Sequence, residues 1–252
     1  MRIAVVSPTY NERENIGWFL ETVRASLPQA EIFIIDDNSP DGTGVEADRL
    51  AAELGNITVV HRFDKKGLGS AYRHGFEVAI DAGFDAVVSM DVDRSHDPSV
   101  LPAMIAALAG GADIVVGSRY VPGGSTVNWP LHRRLLSSWG NRYTTTVLGL
   151  HVGDCTSAYR AYRADALEAV EPNSTRAEGY AFLTELLRRA QSQQRVIVEV
   201  PIRFVDRDYG ESKMSGRIIA ESMLLVTGWG ARDAVRKVGR RFTRRDDDQP
   251  TE

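Results

Sequence analysis

Two aspartates separated by one residue are the part of this sequence best suited to chemistry. Asp91 and Asp93 follow an apolar run at 86–90 that predicts a buried strand. Beyond a strand end the chain can turn, so both carboxylates can approach one cation. Mg2+ and Mn2+ prefer such oxygen ligands and accept substrate phosphates as further ligands. The pair predicts a metal site that would neutralise a departing diphosphate, although a D-x-D tripeptide alone is more often a polar strand end.

Strands and helices alternate over the first half of the chain. Apolar runs predict strands at 3–7, 32–35, 57–60, 86–90 and 114–117, and helical spacing predicts helices at 12–27, 41–54, 68–82 and 98–108. This alternation predicts an α/β fold with a doubly wound, mostly parallel sheet and helices on both faces. Ligands of such sheets bind beyond the carboxyl ends of the strands. The polar clusters at 8–12, 36–39, 91–93 and 117–119 should therefore meet at one edge.

The second half of the chain is less regular. We predict one or two helices at 131–150, a loop and strand at 154–163, a helix at 179–190, one continuous strand at 196–204 and a final helix from residue 216. The expected division is one domain over 1–215, an amphipathic basic helix over 216–245 and a disordered acidic tail over 246–252.

Polar residues after the first two strands have the chemistry of a nucleoside site. The ring of Tyr10 can cover a base or a sugar, and the carboxylates of Glu12 and Asp37 can bind base or ribose edges. The alternative is that Asn11 or Glu12 only caps the first helix and that residues 36–39 only form a turn. Neither a G-x-G-x-x-G motif after the first strand nor a P-loop motif occurs, so those two nucleotide sites lack support.

Four basic residues lie beside glycine or turn residues, namely Arg119, Arg133, Arg207 and Lys213. A guanidinium fork suits phosphate oxygens, whereas lysine acts as a point charge. These residues are candidates for binding phosphate, although most such side chains are solvated surface groups.

The histidines and the cysteine do not indicate a further metal site or a nucleophile. The five histidines lack metal-ligand spacing, and we interpret His96 as a support of the loop that holds Asp91 and Asp93. Cys155 is the single cysteine, which excludes an intramolecular disulfide, agrees with a reducing compartment and favours a packing role.

Bulk charge and hydropathy exclude other classes of protein. The 252 residues carry a net charge of −4, which does not indicate a nucleic-acid-binding protein. The N-terminus is typical of a first strand rather than a signal peptide. No apolar run approaches the roughly 20 residues needed to span a bilayer.

The C-terminal segment carries a basic stripe. Arg232, Arg236, Arg240 and Arg244 recur every four residues, which places them along one face of a helix. A basic amphipathic helix can lie in the interface of an anionic membrane, or it can pack on the domain with a solvated rim. Both interpretations remain open.

Several of these motifs occur together and in order, at 8–16, 35–43, 66–72, 90–96, 117–120, 154–160 and 204–213. In this order they resemble the dolichol-phosphate (polyprenol-phosphate) mannose synthases, members of glycosyltransferase family 2 with the GT-A fold. The Ser-Pro-Asp-Gly-Thr run at 39–43 and the Phe-Val-Asp-Arg to Gly-Glu-Ser-Lys run at 204–213 are the most specific. The sequence departs from the family pattern at Val92 and Arg94, where D-A-D-L is usual. It also departs at Ala158 and Tyr159, where glycine and phenylalanine are usual.

The resemblance implies a donor site for GDP-mannose. The residues expected to hold its nucleoside are Pro8, Tyr10, Glu12, Ile35 and Asp37. Those expected to hold diphosphate and a divalent metal, Mg2+ or Mn2+, are Asp91, Val92 and Asp93, with Ser95 near the metal. Donor and acceptor phosphates would be bound by Arg119, Arg207 and Lys213, and we add Arg133 for the acceptor phosphate. The expected catalytic residues are Asp91, Asp93, Arg119, Arg207 and Lys213.

The implied reaction is the inverting transfer of mannose to a polyprenol phosphate. A phosphate monoester is already anionic at neutral pH, so this acceptor needs no strong general base. A lipid acceptor implies peripheral docking at the cytoplasmic face of the membrane, through the basic terminal helix and residues 131–150. An integral membrane protein is a further candidate partner.

Three alternative functions share part of the predicted fold or of the predicted donor site. A family 2 transferase with UDP-glucose or another donor would share the fold. A sugar-1-phosphate nucleotidyltransferase would require a glycine-rich first loop, which the Pro8-Thr9-Tyr10 segment is not. A non-catalytic nucleotide-sugar-binding module would bind the donor without turnover.

Overall fold

The computed structural model describes residues 1–175, 177, 179–206 and 220–234. Its strands are β1 (Ile3–Thr9), β2 (Glu31–Asp36), β3 (Ile57–His61), β4 (Ala86–Ser89), β5 (Ile114–Ser118), β6 (Ser125–Val127), β7 (Arg160–Arg163), β8 (Ile197–Pro201) and β9 (Arg203–Val205). Its α-helices are α1 (Arg13–Ser26), α2 (Thr43–Leu54), α3 (Leu68–Asp81), α4 (Leu101–Ala109), α5 (Leu131–Leu148), α6 (Ala164–Ala169) and α7 (Tyr180–Ser192). A further helix is described over 220–234.

Seven strands form one sheet in the order β3-β2-β1-β4-β7-β5-β8. Neighbours pair in parallel except β7, which runs antiparallel to both β4 and β5. In the first pair, Pro8 of β1 lies opposite Ile35 of β2. The predicted α/β fold with a mostly parallel sheet is confirmed. Because β1, β2, β4 and β5 share one direction, their carboxyl ends and the loops that follow lie at the same edge.

Apolar cores cover both faces of this sheet, which confirms helices on both sides. On one face α3 and α7 pack through Phe76 and Phe182, whose ring centroids are 6.3 Å apart. On the other face α1 contributes Phe19 and Leu20 to a second core. Gly75 allows α3 to approach the sheet closely, because a Cβ at this position would collide with the side chain of Val6. This close packing places the N-terminal part of α3 at the edge where the polar loops meet.

Two predicted elements differ from the structure. The single strand expected at 196–204 is wrong, because the chain leaves the main sheet at Ile202. The N–H of Ile202 donates to Ser118 at 2.9 Å, its carbonyl accepts from Ser125, and β9 then pairs with β6 in a separate two-stranded sheet. The helix expected at 98–108 begins with a 3-10 turn at Pro98–Val100 before α4.

The helix at 220–234 packs against α5. The hydroxyls of Tyr143 and Thr227 lie 2.8 Å apart, and Asp233 pairs with Arg188 of α7 at 2.5 Å. Within the described ranges, no helix is long and apolar enough to cross a bilayer. Most of the predicted basic stripe and the whole acidic tail lie outside the described residues, and the division at 215 and 245 stays a prediction.

Candidate active site

Residues 91–96, which we call the metal loop after the metal site predicted for them, follow β4 at the carboxyl edge of the sheet. Two neighbours orient Asp91. The hydroxyl of Tyr72 donates to Asp91 Oδ1 at 3.0 Å, and the backbone N–H of Asp91 donates to His96 Nδ1 at 3.2 Å. Burial, followed by the charge of Asp91, raises the pKa of Tyr72 well above its ordinary value. The Tyr72 hydroxyl therefore keeps its proton and remains a donor to the carboxylate.

Asp93 is held by a tight turn within the metal loop. Its Oδ1 accepts hydrogen bonds from the backbone N–H of Ser95 at 3.2 Å and from the Ser95 hydroxyl at 2.5 Å. An aspartate that accepts from the N–H two residues later forms an Asx turn. Arg94, the middle residue of this turn, has a left-handed backbone with φ of 63°. The turn fixes the direction in which Asp93 presents its carboxylate.

His96 lies among the charged groups of the site. Burial lowers the pKa of His96, while Asp91 and Asp93 act to raise it. A neutral ring agrees with the hydrogen bond that Nδ1 accepts from Asp91. The ring of Phe204 lies 5.4 Å from the ring of His96 and 5.3 Å from the guanidinium carbon of Arg119, so the metal loop and Arg119 meet at one aromatic side chain. The hydrogen bond between Asp91 and His96 agrees with the prediction that His96 supports the segment that holds Asp91 and Asp93.

The oxygen donors of the metal loop suit a hard divalent cation. Asp91 and Asp93 supply carboxylates, and the Ser95 hydroxyl is bonded to Asp93. Among the described residues, no cluster of three or more His, Cys, Asp or Glu side chains could hold a metal ion. Mg2+ is commonly bound by one or two carboxylates, with substrate phosphates and waters as the other ligands. The loop therefore fits a metal that binds together with a diphosphate.

The residues predicted for the nucleoside lie near the carboxyl ends of β1 and β2, with Pro8 and Ile35 inside the strands and the others in the loops that follow. The ammonium of Lys65 lies 3.7 Å from the ring centroid of Tyr10. Asp37 Oδ1 accepts a hydrogen bond from Arg62 at 2.6 Å, and Arg62 also donates to Ser70 at 2.7 Å. Burial raises the pKa of Asp37 even though Arg62 acts to lower it. Arg62 was not among the predicted site residues, yet it orients one of them.

Short polar side chains fasten the loops after β1 and β2 to each other. Asp36 Oδ1 accepts hydrogen bonds from the hydroxyls of Thr9 at 3.0 Å and Ser39 at 2.6 Å. Thr43 Oγ1 accepts one from the backbone N–H of Glu12 at 2.9 Å. The Ser-Pro-Asp-Gly-Thr run thus has a structural role, because its hydroxyls hold the first loop in place.

Arg119 and Asp154 form a buried ion pair after β5. Arg119 donates from Nε and Nη2 to Asp154 at 2.7 and 2.9 Å, and its backbone N–H donates at 3.1 Å. The backbone N–H groups of Thr156 and Ser157 donate to the same carboxylate. Burial acts to raise the pKa of Asp154, but Arg119 and these donors outweigh it and hold that pKa below its usual range. Asp154, which was not a predicted site residue, therefore fixes the direction of Arg119.

The segment after Asp154 is held from inside the protein by Arg160. This guanidinium is fully buried and donates to the carbonyls of Cys155 at 2.8 Å, Ser157 at 2.8 Å and Leu183 at 2.5 Å. Cys155 is also buried, and burial raises the pKa of its thiol to about 12. The thiol is therefore protonated and packed, in agreement with the role predicted for it.

An aromatic row connects the metal loop with α5. The ring of Phe204 lies 5.4 Å from the rings of both His96 and Trp129. The guanidinium of Arg133 lies 4.1 Å from the centroid of Trp129 and donates to Asp206 at 2.8 Å. Arg133, predicted for the acceptor phosphate, is thus at the end of this row that is farther from the metal loop.

Other predicted residues occupy different positions. Ile35 and Val92 are only 0% and 2% exposed, so both residues are buried and present almost no surface to a ligand. Glu12 is at the N-cap position of α1 without a side-chain capping bond. Arg207 and Lys213 lie outside the described residues.

The sequence profile of glycosyl transferase family 2 matches residues 4–171. The chain belongs to glycosyltransferase family 2. This family 2 chain is 46% identical over 230 residues to the undecaprenyl-phosphate mannosyltransferase of Micrococcus luteus, covering 91% of the chain and 94% of the relative. It is 45% identical over 232 residues to the polyprenol monophosphomannose synthase of Mycolicibacterium smegmatis, covering 92% and 88%. The resemblance predicted from the motifs is confirmed.

The fold of this family 2 chain is similar to that of glucosyl-3-phosphoglycerate synthase from Mycobacterium tuberculosis. The structure of that enzyme with Mn2+ and uridine-diphosphate-glucose matches with a TM-score of 0.66 at 19% identity, covering 90% of this chain and 79% of the other. At this identity the likeness shows the fold alone, and it supports the predicted GT-A architecture.

Proposed function

We propose that this enzyme transfers mannose from GDP-mannose to a polyprenol phosphate, with inversion at the anomeric carbon. The proposal is carried by the proximity of the metal loop to the Arg119–Asp154 pair, because His96 of the loop and the guanidinium of Arg119 both lie against the ring of Phe204. The names of the two relatives support mannose as the sugar and a polyprenol phosphate as the acceptor. GDP as the donor nucleotide rests on the motif resemblance.

The site would act mainly through charge and alignment. A divalent metal, Mg2+ or Mn2+, held by Asp91 and Asp93 would neutralise the departing diphosphate. Tyr72 and Ser95 already orient these carboxylates, so little rearrangement is needed when the donor binds. The acceptor phosphate is anionic and needs no strong base, so catalysis consists largely of aligning its oxygen with the anomeric carbon.

The basic residues would steer the phosphates. Arg119 is held in one direction by Asp154, which suits a fixed phosphate contact. Arg133 would meet the acceptor phosphate from the α5 side of the site, and Arg207 and Lys213 keep their predicted phosphate roles.

A transfer assay tests this function directly. Purified enzyme with labelled GDP-mannose, polyprenol phosphate and Mg2+ or Mn2+ should form a lipid product that carries β-linked mannose. Product from UDP-glucose instead would support the alternative donor. Calorimetric binding of GDP-mannose without any product would support the non-catalytic binding module.

We place the membrane-facing surface of the enzyme on α5. Leu131, Leu135 and Trp139 recur every four residues and are 67%, 62% and 56% exposed. Arg134 and Arg142 are exposed on the same helix. An apolar row beside basic side chains suits the interface of an anionic bilayer, where a polyprenol acceptor resides. Docking through α5 would bring the acceptor phosphate close to Arg133 in the first turn of that helix.

Replacing Leu131, Leu135 and Trp139 together with serine should weaken sedimentation with phosphatidylglycerol liposomes by about tenfold or more. A tenfold effect corresponds to about 1.4 kcal/mol, which is less than the roughly 1.5–3 kcal/mol that full insertion of a single leucine would contribute, so tenfold is a lower bound. Val45→Ser is the matched control, because Val45 is 74% exposed on α2 and should not affect binding. Unchanged sedimentation of the triple variant would exclude α5 as the docking surface.

A further inference from the structure

An arginine with a left-handed backbone directly follows the second carboxylate of the metal loop. Arg94 has φ of 63°, a conformation that glycine, asparagine or aspartate adopts more easily. Residues other than glycine persist in this region when surrounding contacts hold them there. Arg94 also departs from the usual family motif, and the proposed transfer chemistry assigns it no role.

The side chain of Arg94 reaches α1. Its guanidinium carbon lies 5.3 Å from the ring centroid of Trp18, which is within cation–π range. Its Nη2 donates to the backbone carbonyl of Glu14 at 3.2 Å. Both partners lie in the first two turns of α1, and α1 begins directly after Glu12, one of the predicted nucleoside residues. One side chain therefore connects the metal loop to the helix that follows the nucleoside loop.

We propose that Arg94 is a positioning residue that braces the metal loop against α1 and so aligns Asp93 with the nucleoside-binding residues. The inference rests on the proposed donor site. A nucleotide diphosphate would bridge the two parts, with its base near Tyr10 and its phosphates at the metal loop. Without the brace the metal loop would sample more orientations. This would weaken the binding of a metal that must contact Asp93 and the diphosphate together. Contacts to the base do not depend on the brace.

Calorimetry with GDP and MnCl2 measures metal binding separately from nucleotide binding, and it does not require turnover. Arg94→Gly keeps the left-handed backbone accessible while removing the contacts with Trp18 and Glu14. We expect its Kd for Mn2+ in the presence of GDP to be about tenfold weaker, as for the loss of other groups that orient metal ligands. Its Kd for GDP without metal should stay unchanged. Trp18→Leu should also weaken the binding of Mn2+. Arg94→Lys retains a cation over the ring and should therefore keep most of the wild-type affinity for Mn2+.

Gln194→Gly is the matched control, because Gln194 is also left-handed, with φ of 59°, at the surface beyond α7. It should bind Mn2+ and GDP as the wild type does. An Arg94→Gly variant with wild-type Mn2+ affinity would overturn the brace while leaving the donor site intact. A wild-type protein whose GDP binding does not respond to Mn2+ would overturn the donor site and the brace together.

Discussion

Asparagine at both Asp91 and Asp93 is expected to lower mannosyl transfer by at least about a thousandfold in a folded enzyme. The variant removes the two charges that would hold the metal, and a thousandfold corresponds to about 4 kcal/mol of transition-state stabilisation. The fold should survive, because Tyr72 and Ser95 donate to Oδ1 atoms that asparagine also provides. The measurement is the transfer rate at saturating donor and acceptor, together with a thermal unfolding curve.

Asp97→Asn provides a control close to the same loop. Asp97 is exposed and accepts a hydrogen bond from the backbone N–H of Ser99 at 2.9 Å, which caps the 3-10 turn. Asparagine is an equally good capping residue, so this variant should keep wild-type activity. A double variant at Asp91 and Asp93 that transfers mannose at the parental rate would contradict the proposed mechanism.

Alanine at Asp154 is expected to lower the free energy of unfolding by about 3–5 kcal/mol, because it leaves the Arg119 guanidinium buried without its counter-ion. It also removes the acceptor of the Thr156 and Ser157 backbone N–H groups. Urea unfolding at pH 7 measures the loss. Asp165→Ala breaks an exposed pair with Arg163 at 3.2 Å and should cost less than about 1 kcal/mol. A similarly small loss for Asp154→Ala would contradict the structural role of the buried pair.

The same pair has a defined pH dependence. The pKa of Asp154 is lowered in the folded protein, so the unfolded chain binds this proton more readily. The stabilisation is therefore complete above the unfolded-state pKa of about 3.9 and is lost as the pH falls through the lower folded-state pKa. Unfolding curves measured between neutral pH and about pH 3 should show that the free energy of unfolding of the wild type falls as the pH is lowered. In Asp154→Asn, the contribution of this carboxyl group to the fall should be absent.

The elements that depend on local pattern were predictable. Short apolar runs identified the strands at 3–7, 32–35 and 86–90 to within about two residues, because a parallel strand buried on both faces needs such a run. The metal loop could be proposed for the same reason, since polar residues directly after a buried strand must lie at the ligand-binding edge. The break at Ile202 was not predictable, because it depends on hydrogen bonds to Ser118 and Ser125 from distant segments.

The sequence by itself determined the alternation of strands and helices, the carboxylates of the metal loop and the family resemblance, because each is encoded by neighbouring residues. Only the tertiary structure decided what orients those groups. Tyr72 reaches Asp91 across 19 residues, Arg62 reaches Asp37 across 25, and Asp154 reaches Arg119 across 35. Arg94 reaches Glu14 across 80. Such partners are selected by how the helices and loops pack around the sheet edge, and no local pattern in the chain specifies them.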